Sequence, residues 1–113
     1  MTQNNPTKTL TTHVLDVANG RPAVGVPCHA EKYDLDKWQS FPMTTTNSDG
    51  RALNLIPPFD WTPGHYRLVF ETGKYFPDGF YPVVTIEFCV KDSAHYHVPL
   101  LLSPFGYTTY RGS

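Results

Sequence analysis

The sequence predicts an all-β protein, an antiparallel β-sandwich of seven to eight strands with one short helix. Three observations carry this. Gly and Pro punctuate the chain, 8 and 11 over 113 residues, and favour short elements over long helices. Turn clusters recur at short spacing between runs rich in Val, Thr, Leu and aromatic residues. The run Val83–Lys91 alternates strictly, with Val84, Ile86, Phe88 and Val90 on one face and Val83, Thr85, Glu87 and Cys89 on the other.

In chain order, residues 1–8 are rich in Asn, Gln and Thr and are expected to be a flexible N-terminal segment, with residues 9–113 forming one domain. Thr9–Val17 reads as the first strand and stops at the turn cluster Ala18-Asn19-Gly20-Arg21-Pro22. Val26–Leu35 and Trp38–Thr46 follow as strands, and Asn47-Ser48-Asp49-Gly50 turns into a short strand over Arg51–Leu55. Pro57-Pro58 and Thr62-Pro63-Gly64 bracket a loop before an apolar strand over His65–Thr72. Gly73–Asp78 is the one candidate for a short helix or turn. After Val83–Lys91, Asp92-Ser93 turns into Ala94–Leu102, and Ser103-Pro104-Phe105-Gly106 turns into Tyr107–Arg111.

Composition excludes several functions. A net charge of −1 without a basic cluster leaves no surface for nucleic acid. The longest apolar runs, such as Val98–Leu102, fall far short of the ~20 residues that span a bilayer, so no membrane partner is expected. Met1–Thr9 has no apolar core of a secretory signal, and the final Tyr-Arg-Gly-Ser is not a peroxisomal tripeptide, so a cytoplasmic location is expected. In that compartment Cys28 and Cys89 read as two reduced core thiols rather than a bridge. Charged residues are 17% against a usual ~25%, which predicts that another copy of the chain covers part of the surface.

A few polar side chains stand where a strand would not place them without cause. His13 interrupts the first strand, with Thr11, Leu15 and Val17 as its face-mates. Arg51 follows Gly50 at a turn exit. His95 and His97, two apart, share one strand face, but no third ligand accompanies them, so metal binding is not expected. Cys28 and His29 are neighbours on a strand, point to opposite faces, and form no metal pair. Pro99 cannot donate to a ladder, so its strand is expected at an edge or with a bulge. Leu100–Leu102 are apolar in succession, which predicts that both faces of that strand are covered. Read alone, each of these is also compatible with an ordinary half-buried or solvated side chain. The terminal Tyr110-Arg111-Gly112-Ser113 reads either as a fraying strand or as a segment that brings Ser113 and its carboxylate into a site.

Three stretches together resemble a known family. They are Leu10-Thr11-Thr12-His13-Val14-Leu15-Asp16, Thr46-Asn47-Ser48-Asp49-Gly50-Arg51, and the chain from His95-Tyr96-His97-Val98-Pro99-Leu100 through Tyr107-Thr108-Thr109-Tyr110-Arg111-Gly112-Ser113. They are similar to the 5-hydroxyisourate hydrolases, the enzyme branch of the transthyretin-like family, as is Phe70-Glu71-Thr72-Gly73-Lys74-Tyr75-Phe76. The Tyr-Arg-Gly-Ser tail separates this branch from the hormone carriers. The chain departs from the pattern at Pro27-Cys28-His29, at Phe105 where Tyr is common, and at Thr108 where Ser is common.

The resemblance implies a transthyretin-like sandwich that assembles as a homotetramer, a dimer of dimers with a channel between the dimers. It implies hydrolysis of 5-hydroxyisourate without cofactor or metal, giving 2-oxo-4-hydroxy-4-carboxy-5-ureidoimidazoline. Carried over by position, the site residues fall on His13, Arg51, His97 and the tail Tyr110-Arg111-Gly112-Ser113, with His95 in support. These types suit opening of a cyclic amide: imidazole takes a proton from water near neutral pH, and Arg51 offers fixed donors to a developing oxyanion. Tyr110 would wall and hydrogen-bond the planar substrate, and Ser113 would orient water or a histidine. His97 is assigned as base with His13 as its partner or proton donor, an order the sequence favours without excluding the reverse. Two rival readings are a non-enzymatic carrier of a small aromatic ligand and a β-sandwich interaction module. In the second, His13, Arg51, His97 and Tyr110 would not converge in one pocket.

Overall fold

The computed structural model describes residues 8–113, so apart from Lys8 the N-terminal segment lies outside the described residues. Among the described residues ten strands are present: β1 Leu10–Asp16, β2 Arg21–Pro22, β3 Pro27–Asp34, β4 Lys37–Ser40, β5 Thr44–Thr45, β6 Arg51–Ala52, β7 Gly64–Phe70, β8 Val84–Val90, β9 Tyr96–Ser103 and β10 Gly106–Thr109. They form two sheets. One runs β10-β9-β1-β2 with β6 also on β1, and the other runs β4-β3-β7-β8 with β5 also on β3. The transthyretin-like sandwich is thus present, with more and shorter strands than the sequence predicts.

The differences are local and physical. The strand expected over Trp38–Thr46 splits, because Phe41 still donates to Ala30 O at 2.9 Å but Pro42 has no N–H to continue the ladder. Arg21–Pro22, read as turn, pairs antiparallel with Leu15–Asp16. The helix expected over Gly73–Asp78 is a single 3₁₀ turn at Thr72–Lys74, and another turn covers Pro58–Asp60. One ladder is not antiparallel: β1 and β9 run parallel from Leu10 opposite Tyr96 to Asp16 opposite Leu102. Hairpin reasoning reaches only sequence neighbours, and the paired residues of these two strands are 86 apart in the chain.

Side-chain alternation puts the core between the sheets. Leu10, Val14, Leu100 and Leu102 meet Tyr66, Leu68, Phe70 and Val84, all buried. Tyr66 keeps its hydroxyl satisfied on Thr62 O at 2.5 Å, and Trp61 donates Nε1–H to Ala94 O at 2.8 Å. Both cysteines are free. Cys28 is a core thiol whose pKa burial pushes up to about 11, whereas Cys89 is exposed on β8 and not in the core. Leu101 is half-buried on the outer face of the single chain, beside the buried Pro99. No helix among the described residues is long and apolar enough to cross a membrane.

Candidate active site

The outer face of the β10-β9-β1 sheet collects the odd-numbered side chains of β1 and β9. Register aligns them in two adjacent rows. Arg51 stands opposite His13, and His13 opposite Pro99. One step along, Thr11 stands opposite His97, and His97 opposite Gly112. Thr109 to Leu100 and Gly112 to His97 have the same offset, so the tail continues the β10 register and Tyr110 stands opposite Pro99. Side chains two apart on a strand and opposite across a ladder are neighbours, which gathers these residues on one surface.

Pro99 lies on an inner strand, between β1 and β10, and not at an edge or bulge. Its missing N–H interrupts the ladder to the tail instead. Thr109 Oγ1 donates to Pro99 O at 2.7 Å, and pairing resumes where Gly112 N donates to His97 O at 2.8 Å. Between these bonds, Tyr110 and Arg111 are released from the sheet. Arg111 turns away: its guanidinium carbon stacks 4.1 Å from the centre of the Tyr96 ring. There it lines a second cavity of about 430 Å³ along β8.

Arg51 is delivered by the turn that precedes it. Asn47 Oδ1 accepts from Asp49 N at 2.9 Å and from Arg51 N at 3.0 Å, an Asx arrangement that closes the turn. Gly50 has φ +76° and is pressed onto β1, its carbonyl accepting from Val14 N–H at 2.7 Å. A Cβ there would stand 2.5 Å from Val14 O, so only glycine lets the turn seat Arg51 opposite His13.

A cavity of about 400 Å³ opens on these rows, lined by Lys8, Thr11, Arg51, Leu53, His95, His97, Tyr110, Gly112 and Ser113. Of the residues singled out by sequence, Arg51, His97, Tyr110 and Ser113 converge here. His13 is beside the cavity, in register with Arg51, and its charge bears on His97. Thr11, Lys8 and Leu53 escaped the sequence reading. For Thr11 and Leu53 the signal was available, since each is one period-two step from a residue already chosen, His13 or Arg51.

Thr11 Oγ1 lies 2.7 Å from His95 Nε2 and 2.7 Å from His97 Nδ1. Burial lowers the pKa of His97, and the charges of Arg51, His95 and His13 lower it further. Burial and the Lys8 ammonium likewise lower His95. Both rings are therefore neutral at neutral pH, which makes His97 a competent proton acceptor beside a fixed cation. Among the described residues no three His, Cys, Asp or Glu side chains gather as a metal site. The arrangement can bind a planar polar molecule, take a proton, and stabilise negative charge on oxygen.

Known proteins share this chain's sequence and shape. The family model described as the HIUase/Transthyretin family matches residues 10–112. The 5-hydroxyisourate hydrolase of Mus musculus is 42% identical, with 99% of this chain and 98% of the relative covered. The structure of Klebsiella pneumoniae 5-hydroxyisourate hydrolase superposes with a TM-score of 0.80 at 32% identity, covering 93% of this chain and 98% of that one. Sea bream transthyretin in complex with thyroxine superposes with a TM-score of 0.87 at 31% identity, covering 92% and 94%.

Proposed function

The chain belongs to the HIUase/Transthyretin family, and from that premise we propose that it is a hydrolase that opens the ring of 5-hydroxyisourate. The product is 2-oxo-4-hydroxy-4-carboxy-5-ureidoimidazoline, and no metal or cofactor takes part. The observation that carries this reading is the convergence of His97, Arg51, Tyr110 and Ser113 on one polar cavity. A carrier of an apolar ligand gains nothing from an imidazole and a guanidinium in its lining.

His97, neutral at working pH, takes a proton from the attacking water. Arg51 offers its planar donors to the carbonyl oxygen as that oxygen gains charge. His13, opposite Arg51, supplies a proton to the leaving nitrogen. Tyr110 walls the planar ring, and Ser113 orients the water. The site is open in the single chain, with Arg51 and Tyr110 exposed. Val17, Val24, Phe105 and Tyr107 are exposed apolar or aromatic side chains on the same chain, and β8 and β10 each end a sheet. Both observations support a homotetramer, a dimer of dimers whose channel covers this face.

The test is kinetic. 5-Hydroxyisourate generated in situ from urate by urate oxidase should lose its ultraviolet absorbance faster with the protein than without. A decay rate equal to the spontaneous one would remove the hydrolase assignment. Light scattering on the eluting protein should give four times the chain mass.

A further inference from the structure

Thr11 is buried at the junction of the two rows, and its hydroxyl reaches two imidazoles at once. A threonine hydroxyl has one proton and two lone pairs, so between two neutral rings it donates to one and accepts from the other. In one arrangement Thr11 donates to His97 Nδ1, and the His97 proton then occupies Nε2. In the other, His97 Nδ1–H donates to Thr11 Oγ1, the Thr11 proton goes to His95 Nε2, and His97 Nε2 keeps its lone pair. The environment selects between them. With Nδ1 held by Thr11, Nε2 is the ring nitrogen left for the cavity. The cavity's charged side chains are the two cations Arg51 and Lys8, which outnumber its one anion, the chain-end carboxylate of Ser113. Cationic donors favour a lone pair over an N–H.

We propose that Thr11 is a positioning residue for His97: it accepts from His97 Nδ1–H, donates to His95 Nε2, and so leaves the His97 Nε2 lone pair facing the cavity. This rests on the reading of His97 as the base. His95, exposed and outside the chemistry, acts through Thr11 as the acceptor that orders the chain of hydrogen bonds. The relay also serves the transition state. When Nε2 gains the water's proton, the imidazolium already has its second N–H satisfied by Thr11.

The experiment pairs tautomer with turnover. Long-range proton–nitrogen spectra of ¹⁵N-labelled, substrate-free protein near neutral pH should show His97 protonated at Nδ1 and His95 with Nε2 as acceptor. Thr11→Val should lose that tautomer preference and lower kcat about 10- to 100-fold, within the range of a disabled general base. Its KM should stay within about twofold, since substrate contacts are kept. Thr11→Ser should restore both. His95→Ala, at an exposed position that carries little folding risk, should free the Thr11 proton for His97 Nδ1 and lower kcat in the same sense. Wild-type His97 protonated at Nε2 would overturn the proposal, as would Thr11→Val with unchanged kcat and spectrum. A wild-type protein that does not accelerate substrate decay would instead remove the hydrolase reading, while the substrate-free spectrum still decides the proton assignment.

Discussion

Gly112 lies flat against the His97 imidazole. Its N–H donates to the His97 carbonyl at 2.8 Å, and a Cβ built on it would stand 2.6 Å from the ring Cδ2 and 3.3 Å from Pro99 Cγ. The tail can cross the histidine only where it has no side chain. Gly112 therefore holds two elements of the site at once, the ring of His97 and the path by which Ser113 reaches the cavity.

Gly112→Ala is expected to push the ring or the tail off its seat. The residue is near the chain end and outside the core, so the Tm should change little. Turnover should fall about tenfold or more, because ångström displacements of positioned groups cost on that scale. Urate-coupled kinetics beside a thermal melt checks this, and an unchanged kcat with an unchanged Tm would contradict it.

Removing the base and moving its pKa have distinct signatures. His97→Ala should lower kcat about 10²-fold or more. In the wild type, burial first and then Arg51 hold His97 below the ordinary 6.5, so kcat/KM should decline only as pH falls below that value. Arg51→Gln deletes a cation beside the ring, which raises the His97 pKa and moves the acid limb of the profile to higher pH, in addition to slowing the reaction. A pH profile of Arg51→Gln with the wild-type limb would show that the two groups are not coupled.

Gly50→Ala combines a left-handed backbone with a collision against Val14 O. It should cost about 2 kcal/mol or more, since strained backbone alone accounts for 1–3. Urea unfolding measures the loss. Activity of the folded fraction should fall as well, because the turn that is displaced carries Arg51.

Acid stability should depend on two carboxylates remote from the cavity. Burial alone would raise Glu31, but hydrogen bonds from His29 and from Arg67, the latter at 2.6 Å, outweigh it and hold the carboxyl below its ordinary value. Asp16 is lowered in the same way: bonds from Asn19 and from Tyr75, at 2.7 Å, outweigh its burial. A depressed folded pKa means that the stabilisation is present above the unfolded value, 4.5 for Glu31 and 3.8 for Asp16, and is lost as pH falls through the folded one. The Tm should hold near neutrality and drop on acidification below about pH 4.5. Arg67→Met brings the folded Glu31 pKa closer to the unfolded one, so it should lower the Tm near neutrality and shrink the acid drop, which melts across a pH series would show.

Period-two patterning was readable wherever one face of a strand is buried. Val84, Ile86 and Val90 are inward as the alternation of Val83–Lys91 requires, and Gly50 marks a turn as its neighbours suggest. The odd residues were legible too: His13, Arg51, His97, Tyr110 and Ser113 were found as polar exceptions and by resemblance, and all but His13 line the cavity. Thr11 was one period-two step from His13, but a threonine in a strand is ordinary, and only the parallel register opposite His97 makes it a hydrogen-bond hub.

The sequence by itself determined the β class, the turns and the chemical types available for a site, since these follow from local sterics and alternation. Tertiary structure alone decided that β1 runs parallel to β9, that Pro99 breaks the ladder from an inner strand, and that Arg111 leaves the site while Thr11 enters it. Each of these depends on which distant strand lies alongside. Burial of the core face between two sheets selects that neighbour, and no local pattern encodes it.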